Sequence, residues 1–219
     1  VIGAAIADRR AFILANTRLQ APPHTPELRL HLADEVTPIW RMTEEALGAI
    51  GLPPPFWAFA WAGGQALARY LIDNPAEVAG RRVVDFAAGS GIVAIAAATA
   101  GAASVLAADI DPFCAAAVAL NAAANAVAVD FTDANLLDAA PPAADLILAG
   151  DICYEQPLAG QVMGWLAAAR AAGTRVLIGD PGRSYFPKSG LARLAEYRVP
   201  TTRELEDSEV KRTAVWALP

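Results

Sequence analysis

The chain has 219 residues, enough for one domain with a sizeable buried core. Apolar residues make up 55% of it against 18% charged, which excludes a disordered chain. A net charge of −6 gives no electrostatic ground for binding nucleic acid or an anionic membrane, and favours a basic partner surface.

Residues 4–19 read as an amphipathic helix, followed by a Pro-rich link, "APPHTPEL", and an alternating "LRLHLADE" that reads as a strand. Asp8, Arg9 and Arg10 break any signal-peptide apolar core, so a cytoplasmic protein is expected. This part, residues 1–52, reads as an extension packed on a domain spanning 53–219. In "GLPPPFWAFAWAGG" three prolines exclude regular helix while Trp57, Phe59 and Trp61 alternate; "GGQALARYLIDNP" is a helix ending at Asn74-Pro75.

From Arg81 the pattern becomes apolar strand, turn and helix, repeated through "RRVVDF", "GIVAIAAATA", "ASVLAAD", "PFCAAAVALNAAAN", "AVAVDFT", "ADLILAGD", "PLAGQVMGWLAAARAA" and "TRVLIGD". Short continuous apolar strands between helices mean an α/β fold with a parallel sheet covered on both faces. The last segments, around "LAEYRVPTTREL" and "EVKRTAVWALP", read as a closing hairpin. Residues 86–108 carry no charge over 23 positions, yet the glycines at 89, 91 and 101 favour turn, helix and strand over a membrane span. Cys114 and Cys153 lack a CxxC spacing and His24 and His31 are the only histidines, so reduced thiols and no metal are expected.

In such a fold ligands sit at the carboxyl ends of the strands. "VVDFAAGSG" places Asp85 at the end of the first strand, followed by small residues up to Gly91 that let a backbone approach a ligand. "VLAADIDP" ends its strand in Asp109, about twenty residues after the glycine loop, where an acid suits the two hydroxyls of a ribose; Asp111 fits a helix cap better. "FTDANLLD" offers Asp133 and Asn135 either to an adenine edge or as plain turn residues.

The order DxxxGxG, acid, Asp/Asn and then "GDICYE" resembles the class I, seven-β-strand methyltransferases dependent on S-adenosyl-L-methionine (AdoMet), in the branch with a DxxY motif. "PPPFWAFAWAGGQALARYLIDNP", "DIDP", "GDICYEQPL" and "RVLIGDPGRSYF" together resemble the electron transfer flavoprotein β-subunit lysine methyltransferases, from about Pro53 to the C-terminus. That resemblance implies a Rossmann-like seven-stranded, mostly parallel sheet in the order 3-2-1-4-5-7-6 with the last strand antiparallel. It also implies AdoMet as cofactor, S-adenosyl-L-homocysteine (AdoHcy) as product, and a lysine of the flavoprotein β-subunit as target. A monomer without nucleic-acid or membrane partners is expected.

Carried over, the resemblance puts Trp61, Asp85, Ala87, Gly89, Gly91, Asp109, Ile110, Asp133, Asn135 and Leu136 around the cofactor, and Asp151 and Tyr154 at the target amine. Trp57, Glu155 and Arg183 are candidates for the substrate side, with core packing for Trp57 and a structural turn for Arg183 as the alternatives. Ala87 departs from the glycine usual in this loop; alanine is tolerable there if φ is negative and strained if it is positive, and binding is expected to survive. The chemistry needs a lysine amine, of solution pKa about 10.4, to lose its proton and lie in line with the methyl donor. An NAD-dependent dehydrogenase is disfavoured by the absence of a full GxGxxG, and a base or flat amide as acceptor by the absence of NPPY. A ribosomal-protein target and a non-catalytic binding module remain the rival readings.

Overall fold

The computed structural model describes residues 6, 8–34, 36–37, 39, 42, 47–48, 54–202, 206 and 208–219. Helix α1 (Arg9–Asn16) starts where Asp8 accepts the Ala11 N–H at 2.9 Å. It stops three residues before the expected end, because the Asn16 and Thr17 side chains take the Phe12 and Ile13 carbonyls and Thr17 turns extended. Strand β1 (Arg18–Gln20) then pairs antiparallel with β2 (Leu30–Leu32), inside the expected strand. Residues 4, 5 and 7 of the predicted helix lie outside the described residues.

The remaining strands are β3 (Arg82–Phe86), β4 (Ser104–Ala108), β5 (Asp130–Thr132), β6 (Leu146–Gly150), β7 (Arg175–Asp180), β8 (Ala192–Pro200) and β9 (Val210–Ala217). They form one sheet in the order β5-β4-β3-β6-β7-β9-β8. Counted from β3 this is the expected 3-2-1-4-5-7-6, with β9 antiparallel to both neighbours and the last two strands closing as a hairpin. The helices are α2 (Ala62–Asp73), α3 (Ile92–Thr99), α4 (Pro112–Ala124) and α5 (Leu158–Ala171). The uncharged run is therefore loop, α3 and β4, and among the described residues no helix is long and apolar enough to cross a membrane.

Strand β6 shows why the sheet needs two covers. Leu146 and Leu148 join Leu67, Leu71 and Ile95 of α2 and α3, while Ile147 and Ala149 join Val162 and Leu166 of α5. Each such large side chain contributes about 1.5–3 kcal/mol when buried, so an all-apolar strand is stable only between two layers. The N-terminal extension joins the same cores: Leu28, Leu30 and Leu32 pack with the α2 side, and Ile13 with Trp57 and Phe113. Its backbone is tied to α4, where Asn121 and Asn125 accept the His31 and Arg29 N–H groups at 2.6 and 2.9 Å.

The start of α2 lies directly on the carboxyl ends of β6 and β7. A Cβ on Gly63 would sit 2.5 Å from the Asp151 Oδ2 atom and collide with the Gly179 carbonyl, so only glycine permits this approach. It brings the free N–H groups of a helix N-terminus to the strand ends.

Candidate active site

At the end of β3 the chain makes a tight turn into α3. Ala87, Gly89 and Gly91 all have positive φ, at 55°, 52° and 77°. Ala87 thus occupies the left-handed region, at a cost of about 1–2 kcal/mol that glycine would not bear; of the two conditions set on this residue, the strained one holds. Gly91 departs from the expectation of a cofactor contact. It is off the cavity wall, and a Cβ there would lie 2.9 Å from Val118 Cγ2, so it serves the packing of α3 on α4. Asp85 is buried, accepts the Ala94 N–H at 2.9 Å, and is pushed up to about 8 by burial.

Asp109, at the end of β4, accepts the Gly89 N–H through Oδ2 at 2.9 Å and the Asp111 N–H through Oδ1 at 3.0 Å. The Cys114 thiol also hydrogen-bonds this carboxylate, and the lone pairs left over suit hydroxyl donors. Asp111 caps α4 through the Phe113 N–H at 2.9 Å. Asn135 caps the single 3-10 turn Leu136–Asp138 and lies on the cavity wall, as do Leu136 and Ile110, whose side chain is 69% exposed at the rim. Asp133 is exposed and off that wall, where Ala134, also exposed, borders the cavity in its place.

These residues line a cavity of about 600 Å³ that runs from the glycine loop to Asp151 and Tyr154. AdoMet fits its chemistry. Ile110, Leu136, Leu137, Leu158 and Val162 offer apolar walls for a flat ring, and Asp109 offers its free lone pairs to a ribose. The charged groups on the wall are Asp109, Asp111, Asp151 and Arg183, with Asp85 kept largely protonated at neutral pH by burial, and this acidic balance complements a cationic ligand.

At the far end, Asp151 has φ +57°, a second non-glycine residue in the left-handed region. Its carboxylate is held from three directions: Oδ1 accepts Arg183 Nε and Nη2 at 2.9 and 2.6 Å, and Oδ2 accepts the Gly64 N–H of α2 at 3.0 Å. Burial pushes this carboxyl up, while the Arg183 guanidinium opposes the shift. Arg183 also donates through Nη1 and Nη2 to Glu206 at 2.9 and 2.8 Å, and its guanidinium carbon stands 5.8 Å from the Trp61 ring centre. Four of its five side-chain N–H donors are thereby turned on two carboxylates while it lines the cavity, so the role the geometry shows is to hold Asp151 and Glu206 rather than an acid of the substrate. Tyr154 lines the cavity with its hydroxyl pushed up by burial, so it stays protonated at neutral pH. Glu155, another substrate candidate, is exposed and off the wall, its backbone carbonyl engaged in starting α5. Cys153 is fully buried with its thiol pushed up to about 12 by burial, which makes it inert as a nucleophile.

Trp57 is also corrected. It is 1% exposed and stacks on Phe113 at 5.6 Å with 12° between the rings, as part of the core. A 3-10 turn, Phe56–Ala58, replaces the strand-like alternation and puts Phe56 outward instead. The Phe56 ring lies 5.8 Å from Trp61 and 5.6 Å from Tyr154, building an aromatic wall beside Asp151. Phe56 and Glu206 are among the site residues that reading the sequence missed, with Gly64, Leu137, Leu158 and Val162. For Phe56 the signal was the proline run just before it, which favours a tight turn over a strand; Glu206 has no local signal.

Likeness to known proteins follows the same line. The profile of the family "Ribosomal protein L11 methyltransferase (PrmA)" matches residues 66–153. The electron transfer flavoprotein beta subunit lysine methyltransferase of Xenopus laevis is 41% identical over 95% of this chain and 86% of its own length. That of Danio rerio is 40% identical over 95% and 83%. This chain belongs to the electron transfer flavoprotein β-subunit lysine methyltransferase family. In fold it also matches the magnesium protoporphyrin IX methyltransferase of Synechocystis PCC 6803 solved with bound SAM, with a TM-score of 0.53 at 18% identity over 72% of this chain and 80% of that one. As a member of this family the protein is an AdoMet-dependent methyltransferase of class I. The PrmA match ends at Cys153, so it covers the glycine loop and Asp109 but none of Tyr154, Arg183 and Glu206.

Proposed function

We propose that the protein methylates the ε-amine of a lysine on the electron transfer flavoprotein β-subunit, using AdoMet and releasing AdoHcy. The observation that carries this reading is the likeness to the lysine methyltransferases along nearly the whole chain, including Phe56, Trp61, Tyr154 and Arg183, which the PrmA match leaves out. The cofactor supplies an electrophilic methyl group on its sulfonium. Asp109 holds the ribose hydroxyls, Trp61, Asp85, Ala87 and Gly89 line the methionine end, and Ile110, Asn135 and Leu136 enclose the adenine.

On the acceptor side the aromatic wall of Phe56, Trp61 and Tyr154 takes the apolar stem and cationic head of lysine by packing and cation–π contact. The remaining lone pair on Asp151 Oδ2 orients the amine, while desolvation in the pocket, which opposes the cation–π contact, makes the neutral amine easier to form. Asp151 already accepts three hydrogen bonds, so it orients the amine and the proton leaves to water. Positioning then supplies most of the rate, with no covalent intermediate.

A ribosomal-protein target is the second reading, favoured by the PrmA match; that match covers the glycine loop, Asp109 and Asp151 but not the aromatic wall of Phe56, Trp61 and Tyr154 that faces the acceptor. A monomer is part of this reading, and the two free buried cysteines suit a reducing cytoplasmic setting. The net charge of −6 supports a protein partner over nucleic acid or a membrane. Labelled AdoMet added with the purified protein to a lysate of its source, followed by mass spectrometry, tests the reading. Lysine label on the flavoprotein β-subunit supports it; label on ribosomal proteins instead moves the target.

A further inference from the structure

Glu206 comes from the segment between β8 and β9, far in sequence from the glycine loop and from Asp151, and is 2% exposed. Its Oε1 accepts the Ala62 N–H of α2 at 3.3 Å and Arg183 Nη2 at 2.8 Å, and its Oε2 accepts Arg183 Nη1 at 2.9 Å. Together with the Asp151 bonds this closes a ring: the start of α2, Asp151, Arg183, Glu206, and back to α2. Two carboxylates face one guanidinium, and the excess negative charge lies against a helix N-terminus, where the dipole favours it.

Arginine is a long side chain with several rotatable bonds, and one carboxylate alone would leave part of its fork unpaired and free to swing. Glu206 fills the other side of the fork. We infer that Glu206 is a positioning residue for methyl transfer, which acts through Arg183 to lock Asp151 in its strained conformation at the acceptor end of the cavity. The lock also fixes Trp61, which immediately precedes Ala62 and lies under the guanidinium. What the locked carboxylate orients rests on the lysine-methyltransferase reading; the lock itself does not.

The test is a double-mutant cycle on the full chain with Glu206→Gln, Arg183→Met and the pair, reading kcat and KM for the acceptor, AdoHcy affinity by calorimetry, and the Arg183 Nε–H signal by nuclear magnetic resonance. Glu206→Gln is expected to lower kcat about ten- to hundredfold, as a small misplacement of a reacting group does, with acceptor KM and AdoHcy affinity held within about twofold. In the Arg183→Met background it should cost nothing further, and Glu206→Asp, which restores the charge, should recover part of the loss. The Nε–H proton should be protected from solvent exchange in the wild type and exposed in Glu206→Gln. Losses that multiply in the double variant, or an unchanged kcat in Glu206→Gln, would overturn the inference. Should Glu206→Gln fail to fold, Glu206→Asp decides through the same signal: retained protection supports the lock, and loss with full activity overturns it. A wild-type protein that methylates no lysine would defeat the proposed activity alone, and the Nε–H signal would still decide the lock.

Discussion

Asp109 and Asp151 are carboxylates at opposite ends of one cavity, and replacing each with alanine separates their work. Asp109 accepts the Gly89 and Asp111 N–H groups and borders the cavity, where it is assigned to the ribose hydroxyls. A hydrogen bond to a charged acceptor contributes about 1.5–3 kcal/mol, so losing two ribose bonds at the lower figure costs about 3 kcal/mol. That is roughly a hundredfold rise in the AdoHcy dissociation constant. The Gly89 N–H also loses its acceptor, which adds to the loss. Asp151→Ala touches no ribose contact, and the expected result is a fall in kcat of about a hundredfold or more from misoriented amine, with AdoHcy affinity changed by less than about threefold. Calorimetry with AdoHcy and initial rates on a lysine-containing acceptor read both quantities. Equal loss of AdoHcy affinity in the two variants would refute the division of roles.

The two neighbouring aromatics should separate in the same way. Trp57→Ala empties a core site and should destabilise the fold by about 3–5 kcal/mol, read as a large fall in Tm. Phe56→Ala should leave Tm nearly unchanged and lower kcat/KM for the acceptor about tenfold through lost cation–π contact; the reverse pattern would contradict the 3-10 turn. Ala87→Gly releases a left-handed strain of about 1–2 kcal/mol against an added unfolded-state entropy of about 0.4–1 kcal/mol. A Tm rise of about 1–2 °C is expected, and a fall would count against the positive φ. Asp85 is raised from 3.8 to about 8 by burial, so its contribution to stability is full below 3.8 and is lost as the pH rises through about 8. Urea midpoints should therefore decline less steeply between pH 5 and 9 in Asp85→Asn than in the wild type; identical slopes would show that Asp85 does not carry the effect.

Where burial is decided by local pattern, the sequence reading succeeded. β3, β4, β6 and β7 are short, mostly apolar runs, and the strand order followed from the resemblance carried by the glycine loop and the acids behind it. Asp109, Asp111 and the Asp151–Tyr154 pair sit at strand ends or caps, where chain position dictates location. What escaped depends on turn geometry or distant partners. Trp57 and Phe56 exchanged places because three residues of 3-10 helix rotate side chains differently from a strand. Arg183 was visible as a cation, but only the fold shows that Asp151 and Glu206 occupy its fork. Glu206 stands in a polar stretch between β8 and β9, and nothing within ten residues of it announces a buried charge. Gly91, placed by motif at the cofactor, answers to Val118 on another helix.

The most direct test of lysine methylation is to incubate the purified protein with AdoMet and recombinant flavoprotein β-subunit and to record the intact mass of the acceptor, followed by peptide mapping. The account predicts mass gains in whole methyl increments, confined to lysine and absent with Asp151→Ala. An acceptor of unchanged mass, from a protein that binds AdoHcy by calorimetry, would contradict it.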